Sequence, residues 1–336
     1  MSENELSAVE AELYDRQIRL WGIESQERLR AANVLLIGVR GLGSEIAKNI
    51  LLTGVNSLVI LDDGIVTEEE QNKNFLLNRG SEGKKIAEEV LIKAQALNPL
   101  VKLSADTSAP AEKEAFFFES FTIIVATGIK TDLLFKIDRI CRANKIKLIA
   151  GDVFGSFGYS VNDFQDHHYI ADQPKLLGKK RGHDSKETKA EREILKVKGE
   201  IKYPELYKVI ILPNKKQNAD CIKKSKRRNE YLFLMLILLE FRNRQNRDPR
   251  VSNLDKDLKL LQEIKIEVLD LYQADHLKLS DQVFELVFGE VVPVCAVLGG
   301  IIAQEVIKAV SQREIPVNNV FLFDPVTYCG KEETVA

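Results

Sequence analysis

The run Asn33-Val34-Leu35-Leu36-Ile37-Gly38 leads into Val39-Arg40-Gly41-Leu42-Gly43 and then into apolar residues at helical spacing (Leu42, Ile46, Ile50 and Leu51). No other feature of the chain restricts its fold as much. A short apolar run bounded by glycine reads as a buried strand, and the glycines let the backbone turn tightly from strand into helix. Gly54 stops that helix as a left-handed cap does. Ser57-Leu58-Val59-Ile60-Leu61-Asp62 follows as a second strand.

The alternation continues. Lys84 to Leu97 is a helix with a charged outer face, ended by Asn98-Pro99, and Thr131 to Ala143 is another. Val101 to Ala105, Phe121 to Ala126 and Lys147 to Ile149 are strands. Strands alternating with helices predict an α/β fold, a doubly wound, Rossmann-like, mostly parallel sheet. Residues 1–30 form an N-terminal helical arm and 31–171 the Rossmann-like domain. Between 172 and 228 charged and amide residues dominate, and so little apolar surface predicts a charged, partly mobile insertion. Helices resume at Asn229 to Arg244, Asp255 to Tyr272 and Val292 to Ser311, and Asn319 to Asp324 is a late strand. Residues 229–336 are therefore expected to return to the first domain's core. Gly299-Gly300 inside a helix costs helix propensity, which predicts close packing by another backbone.

Composition narrows the function. The net charge of −2 gives no overall attraction to nucleic acid or to an anionic membrane. The longest uninterrupted apolar run, Tyr231 to Leu239, is too short to cross a bilayer. The acidic start, Met1 to Glu12, lacks the apolar core of a signal peptide, which predicts a cytoplasmic or nuclear protein. Cys141, Cys221, Cys295 and Cys329 form no C-x-x-C pair, and surface solvation explains the adjacent His167 and His168 at least as well as metal binding, so no metal site is expected. Lys179-Lys180-Arg181 and Lys223 to Arg228 are basic clusters that read equally as nuclear-import signals or as solvated flanks.

A strand, G-x-G-x-x-G, a helix and then an acidic residue about 20 positions on is the dinucleotide fingerprint. Gly38 and Gly43 are its first and third glycines, and Asp62 stands 19 residues after Gly43, where it would accept ribose hydroxyls. The second glycine is replaced by Arg40, with Gly41 following. At that point the backbone must approach phosphate with no side chain between. Arg40 therefore fills the phosphate's space, points away and leaves the loop distorted, or grips a phosphate itself.

Two longer blocks identify a family. Tyr14-Asp15-Arg16-Gln17-Ile18-Arg19-Leu20-Trp21-Gly22 with the glycine loop, and Pro293 to Lys308 near the end, resemble the adenylating domains that activate ubiquitin-like proteins. The resemblance covers nearly the whole chain outside the charged insertion. Active copies in that family carry G-x-G-G-x-G, D-x-D, N-x-x-R-Q-F, a lysine and a late aspartate, which together hold ATP and magnesium. Here those positions fall on Arg40, on Gly64 after Asp62, on Glu70 and Lys73, on Ile86, and near Gly128 or Ile129. Glu70 would set a carboxylate beside phosphates with no metal to bridge them. The resemblance thus implies a degenerate loop (Gly38, Arg40, Gly41, Gly43, Asp62) that holds no cofactor, with ATP and magnesium bound by a partner subunit.

What the resemblance assigns to this chain is Arg16, reaching across a heterodimer to the partner's ATP phosphates as an arginine finger does. Arg19 is the second candidate, and an ordinary ion pair between Arg16 and Asp15 is the bland alternative. The chain's length, its lack of a catalytic-cysteine segment, and its likeness at Gly151 to Tyr159 and Ser311 to Glu314 point to the branch acting on SUMO-type modifiers. The implied partner is a larger subunit bearing the catalytic cysteine, and the implied location is the nucleus. The inactive half of another modifier's activating enzyme, or a non-catalytic scaffold, are the alternatives. A nicotinamide dehydrogenase would share the fold but needs the pyrophosphate space that Arg40 enters.

Overall fold

A computed structural model of the chain describes residues 6–176, 192–212, 228–274, 277 and 279–335. Its centre is an eight-stranded sheet in the order β10-β9-β6-β5-β4-β1-β2-β3. Strands β1 (Asn33–Ile37), β2 (Ser57–Leu61), β3 (Lys102–Asp106), β4 (Ile123–Ala126) and β5 (Lys147–Phe154) run parallel. β6 (Phe157–Asp163), β9 (Val320–Phe323) and β10 (Gly330–Glu333) extend the sheet antiparallel on the β5 side. The C-terminal strands lie in the same sheet as the first five, as expected.

Alternation along each strand sends side chains into two separate layers. Leu35, Ile37, Ile124 and Leu148 face one layer with helices α8 (Thr131–Ala143), α10 (Glu230–Gln245) and α11 (Leu254–Tyr272). Val34, Leu36, Ile60 and Val125 face the other, with α4 (Gly41–Thr53), α6 (Ile86–Leu97) and α12 (Val292–Ser311). Both layers are buried because parallel strands have helices on each face. In α10 every residue from Tyr231 to Leu239 is buried, hence its lack of a polar stripe.

Helix α12 corrects one expectation, since by length and composition it is apolar enough to cross a membrane. Most of it is instead buried against α4 and the sheet. A Cβ on Gly299 would lie 2.7 Å from Glu45 Cβ, so the two helices touch where glycine was expected to permit it.

The charged segment 172–228, expected to be partly mobile, carries regular structure where it is described. β7 (Asp166–Leu176) and β8 (Arg192–Lys202) pair as a two-stranded antiparallel ribbon, and α9 (Leu206–Ile210) buries Leu206, Val209 and Ile210. A ladder is closed by backbone hydrogen bonds and needs little apolar area, so a low apolar content misleads there. The Tyr169 ring covers Gly199, its cross-strand partner, in place of the missing side chain. His167 lies on β7 too and is not a surface residue. It is 2% exposed and neither ring nitrogen has a partner, whereas His168 points outward. Neighbours on a strand face opposite sides. Burial pushes the His167 imidazole down to about 4, so it is neutral near pH 7. The clusters at 179–181 and 223–227, and Cys221, lie outside the described residues.

The N-terminal arm comprises α1 (Ala8–Leu13), α2 (Asp15–Trp21) and α3 (Ile23–Arg30). Its anchor is Tyr14, 4% exposed, whose hydroxyl accepts from Asn98 Nδ2 at 2.9 Å. The Tyr14 ring rests on Gly54, where a Cβ would fall 2.4 Å from it, and Gly54 itself has φ +77°. Gly54→Ala combines a left-handed strain with a collision. It should cost about 1–3 kcal/mol by thermal unfolding and make the arm the first segment cut by limited proteolysis. A variant as stable and as resistant as the parent would show that the anchor is unimportant.

Candidate functional site

The sheet order reverses between β4 and β1, and in open α/β sheets the cleft at such a switch point is where ligands bind. A cavity of about 800 Å³ opens there, lined by the glycine loop, the residues after β2 and β4, and Arg242, Asp248 and Glu290 from the C-terminal part.

The loop keeps the expected backbone. Gly38 has φ +83°, and a Cβ there would strike Thr127. A Cβ on Gly43 would lie 2.1 Å from the Gly38 carbonyl oxygen, so this glycine holds the helix against the strand. Arg40 is the N-cap of α4, and its side chain points outward, 58% exposed, with Nε 3.9 Å from Glu70 Oε1. Arg40 points away, but the loop is not distorted as that outcome was expected to make it, because Gly38 and Gly43 still hold the turn.

Asp62 does not await a ribose. Its carboxylate accepts from the Val39 N–H at 2.8 Å and from the Gly64 N–H at 2.8 Å. Asn74 Nδ2 donates to the Val39 carbonyl at 2.6 Å, so the Val39 peptide is held from both sides. A Cβ on Gly64 would lie 2.8 Å from Asp62 Oδ1, which leaves no room for a second aspartate. Ile86, at the expected lysine position, is a core side chain at 1% exposure. These residues do not fit a magnesium–nucleotide complex.

Carboxylates fill much of what remains. Glu70 is 7% exposed with Oε2 lacking a partner. Burial raises its carboxyl, and Arg40 and Lys73 only partly offset this. Glu290 is pushed up to about 7, first by burial and then by Glu70, against the pull of Lys73, the Leu42 N–H and Arg40. An acid that holds its proton more tightly when folded than at the ordinary 4.5 adds stability below that value and loses it as pH rises towards 7. Glu290→Gln should therefore gain stability relative to the parent between pH 5 and pH 8, read as urea midpoints at each pH. A constant difference would mean that Glu290 titrates normally.

Near Gly128 and Ile129 the sequence shows no acid, yet the position is not empty. Asp152, from β5, accepts from the Gly128 N–H at 2.6 Å and from Tyr159 Oη at 2.9 Å. Arg242, from α10, donates to Asp152 at 2.6 Å, to the Ile129 carbonyl at 3.2 Å, and through two nitrogens to Asp248 at 2.6 and 3.1 Å. Its guanidinium also lies 5.0 Å from the centre of the Phe154 ring. The sequence reading missed Arg242, Asp152 and Glu290. The one available signal was an arginine three residues after the apolar run Tyr231 to Leu239.

Arg16 lies on α2, far along the chain from the loop. It is exposed and has no hydrogen bond or ion pair among the described residues. Asp15 pairs instead with Arg19, at 3.0 Å. The bland alternative for Arg16 is therefore excluded, and Arg19 already has a partner. Gln17 Nε2 donates to the Leu52 carbonyl at 2.9 Å, so α2 is fastened to the domain on either side of Arg16. Cys141 and Cys295 are buried with their thiols raised by burial, and Cys329 is exposed. No group of three or more metal-ligating side chains occurs among the described residues.

A family model described as the ThiF family matches residues 14–334. The chain belongs to the ThiF family. Within it, the human protein named SUMO-activating enzyme subunit 1 is 40% identical over 324 residues, spanning 95% of this chain and 93% of that protein. The Danio rerio protein of the same name is 38% identical over 331 residues, spanning 97% and 94%. Among solved structures, the selenomethionine form of PaaA aligns with 100% of this chain and 76% of its own at a TM-score of 0.57. At 14% identity that likeness concerns the ThiF-type fold alone.

Proposed function

We propose that this chain is the non-cysteine subunit of a heterodimeric activating enzyme for a SUMO-type modifier. The observation that carries the reading is Arg16, an exposed guanidinium with no hydrogen bond or ion pair among the described residues, on a helix pinned by Tyr14 and Gln17. Full-length similarity to proteins named SUMO-activating enzyme subunit 1 supports it.

In this reading the larger subunit binds ATP, magnesium and the modifier's C-terminal carboxylate. The carboxylate attacks the α-phosphorus and pyrophosphate leaves, giving an acyl-adenylate. A partner cysteine thiolate then attacks the acyl carbon and AMP leaves. This chain supplies Arg16 in trans, half of the dimer interface, and support for the partner's site. A guanidinium aimed at the transferring phosphates neutralises charge that grows as pyrophosphate departs. The chain's own pocket takes no part in the chemistry.

The reading extends to a nuclear location for the assembled enzyme, to be checked by imaging the tagged chain with and without the clusters at 179–181 and 223–228. Its partner is tested by purifying the tagged chain from its native cells. A larger homologue with an intact G-x-G-G-x-G loop and a catalytic cysteine should copurify in equal amount. Recovery of the chain alone, or as a dimer of itself, would refute the heterodimer.

A further inference from the structure

A dead nucleotide pocket can arise in two ways: binding groups are lost and the space stays open, or the chain fills the space itself. We propose that the second holds here, with Glu290, backed by Glu70, standing where a nucleotide's phosphate would lie at the N-terminus of α4. The phosphate end of the cavity is then taken by the chain's own carboxyls as well as stripped of ligands.

The position of Glu290 carries the argument. The N-terminus of a helix presents unpaired N–H groups and the positive end of the helix dipole, which is why phosphates bind there. Glu290 Oε1 accepts from the Leu42 N–H, in the first turn of α4, at 3.5 Å. Glu290 Oε2 lies 3.0 Å from where a Cβ on Gly41 would stand. Gly41 is thus the glycine that lets an anion approach, and the anion that approaches belongs to the chain. Lys73 Nζ stands 3.9 Å from Glu290 Oε2, supplying the cation a bound phosphate would otherwise attract.

The placement is built rather than incidental. Glu290 pairs with Gly155 in a β-bridge, with Gly155 N–H donating to the Gly289 carbonyl at 2.6 Å and Val291 N–H donating to the Gly155 carbonyl at 3.3 Å. Both glycines have positive φ, +55° at Gly155 and +72° at Gly289, and a Cβ on Gly155 would lie 2.0 Å from the Leu286 carbonyl oxygen. Helix α12 starts two residues after Glu290, so its backbone is fixed on both sides. Glu70 adds a second carboxyl, buried, with one oxygen unpartnered. Lys73, the cation beside Glu290, is already paired with Glu69, so it is not left over to attract a phosphate.

Removing the carboxyls should open an anion site. The full chain would be titrated with inorganic pyrophosphate by calorimetry, as the parent, as the Glu70→Gln/Glu290→Ala double variant, and as Glu82→Gln. Glu82 lines the same cavity but is exposed and lies outside the α4 contact, so it controls for net charge alone. The double variant is expected to bind at least tenfold tighter than the parent, and Glu82→Gln no tighter. If the alanine variant does not fold, Glu290→Gln, which keeps the shape and removes the charge, is expected to show the same direction of change. The proposal is overturned by a folded variant that gains no affinity, by an equal gain in Glu82→Gln, or by tight binding to the parent. It does not rest on Arg16 or on a heterodimer, so its failure would leave those to their own tests.

Discussion

Arg16→Ala in the reconstituted two-subunit enzyme is expected to slow adenylate formation by roughly 10²- to 10³-fold while the subunits still assemble. The size follows from what a guanidinium does at a transferring phosphate. Its two-pronged donors match the phosphate oxygens, and the interaction strengthens as negative charge gathers on the leaving pyrophosphate. The selectivity follows from the structure. Arg16 makes no hydrogen bond or ion pair among the described residues, and the arm is fastened by Tyr14 and Gln17, so truncation should leave the chain's own stability unchanged. Arg16→Lys keeps the charge but loses the fork, and should recover only part of the rate. Single-turnover formation of the adenylate, followed before thioester transfer, isolates the step. Normal turnover in the alanine variant would remove the in-trans role.

The largest effect on stability should come from Arg242. Replacing it with methionine is expected to cost about 3–5 kcal/mol, measured by urea unfolding of the chain. Arg242 is 4% exposed, and its loss leaves Asp152 buried opposite no cation. The Gly128 N–H and Tyr159 hydroxyl would still donate to Asp152, but neither carries a charge. Asp248 is half exposed and can turn to water, so it adds less to the cost. Arg242→Lys should lose less than methionine, because one ammonium reaches Asp152 but not both oxygens of Asp248 as well. A loss below about 1 kcal/mol for methionine would mean the cluster behaves like an exposed ion pair.

These two residues mark what the sequence could and could not reveal. Periodicity located β1, α4, β2 and α12, because alternating and helical spacings follow directly from burial. Arg16 could be singled out as a candidate because its motif is local, although only the structure separates it from Arg19, which is paired with Asp15. The degenerate loop was legible as a departure from a pattern, Arg40 where a glycine is expected. The contents of the pocket were not. Glu290 reaches α4 from 248 residues away along the chain, and Arg242 reaches Asp152 from 90. Such pairings are set by the packing of α10 and α12, which no spacing rule anticipates. The β7–β8 ribbon escaped for a different reason: its ladder is built from backbone groups that composition does not register.

In the proposed function one activity is divided between two chains, with this one presenting an arginine outward and setting its own carboxyls at the phosphate end of its cavity. ATP–pyrophosphate exchange in the presence of a SUMO-type modifier tests that division most directly, run on the purified chain alone and on the assembled pair. No exchange above background is expected from the chain alone, and full exchange from the pair. Modifier-dependent exchange by the chain alone would contradict that division.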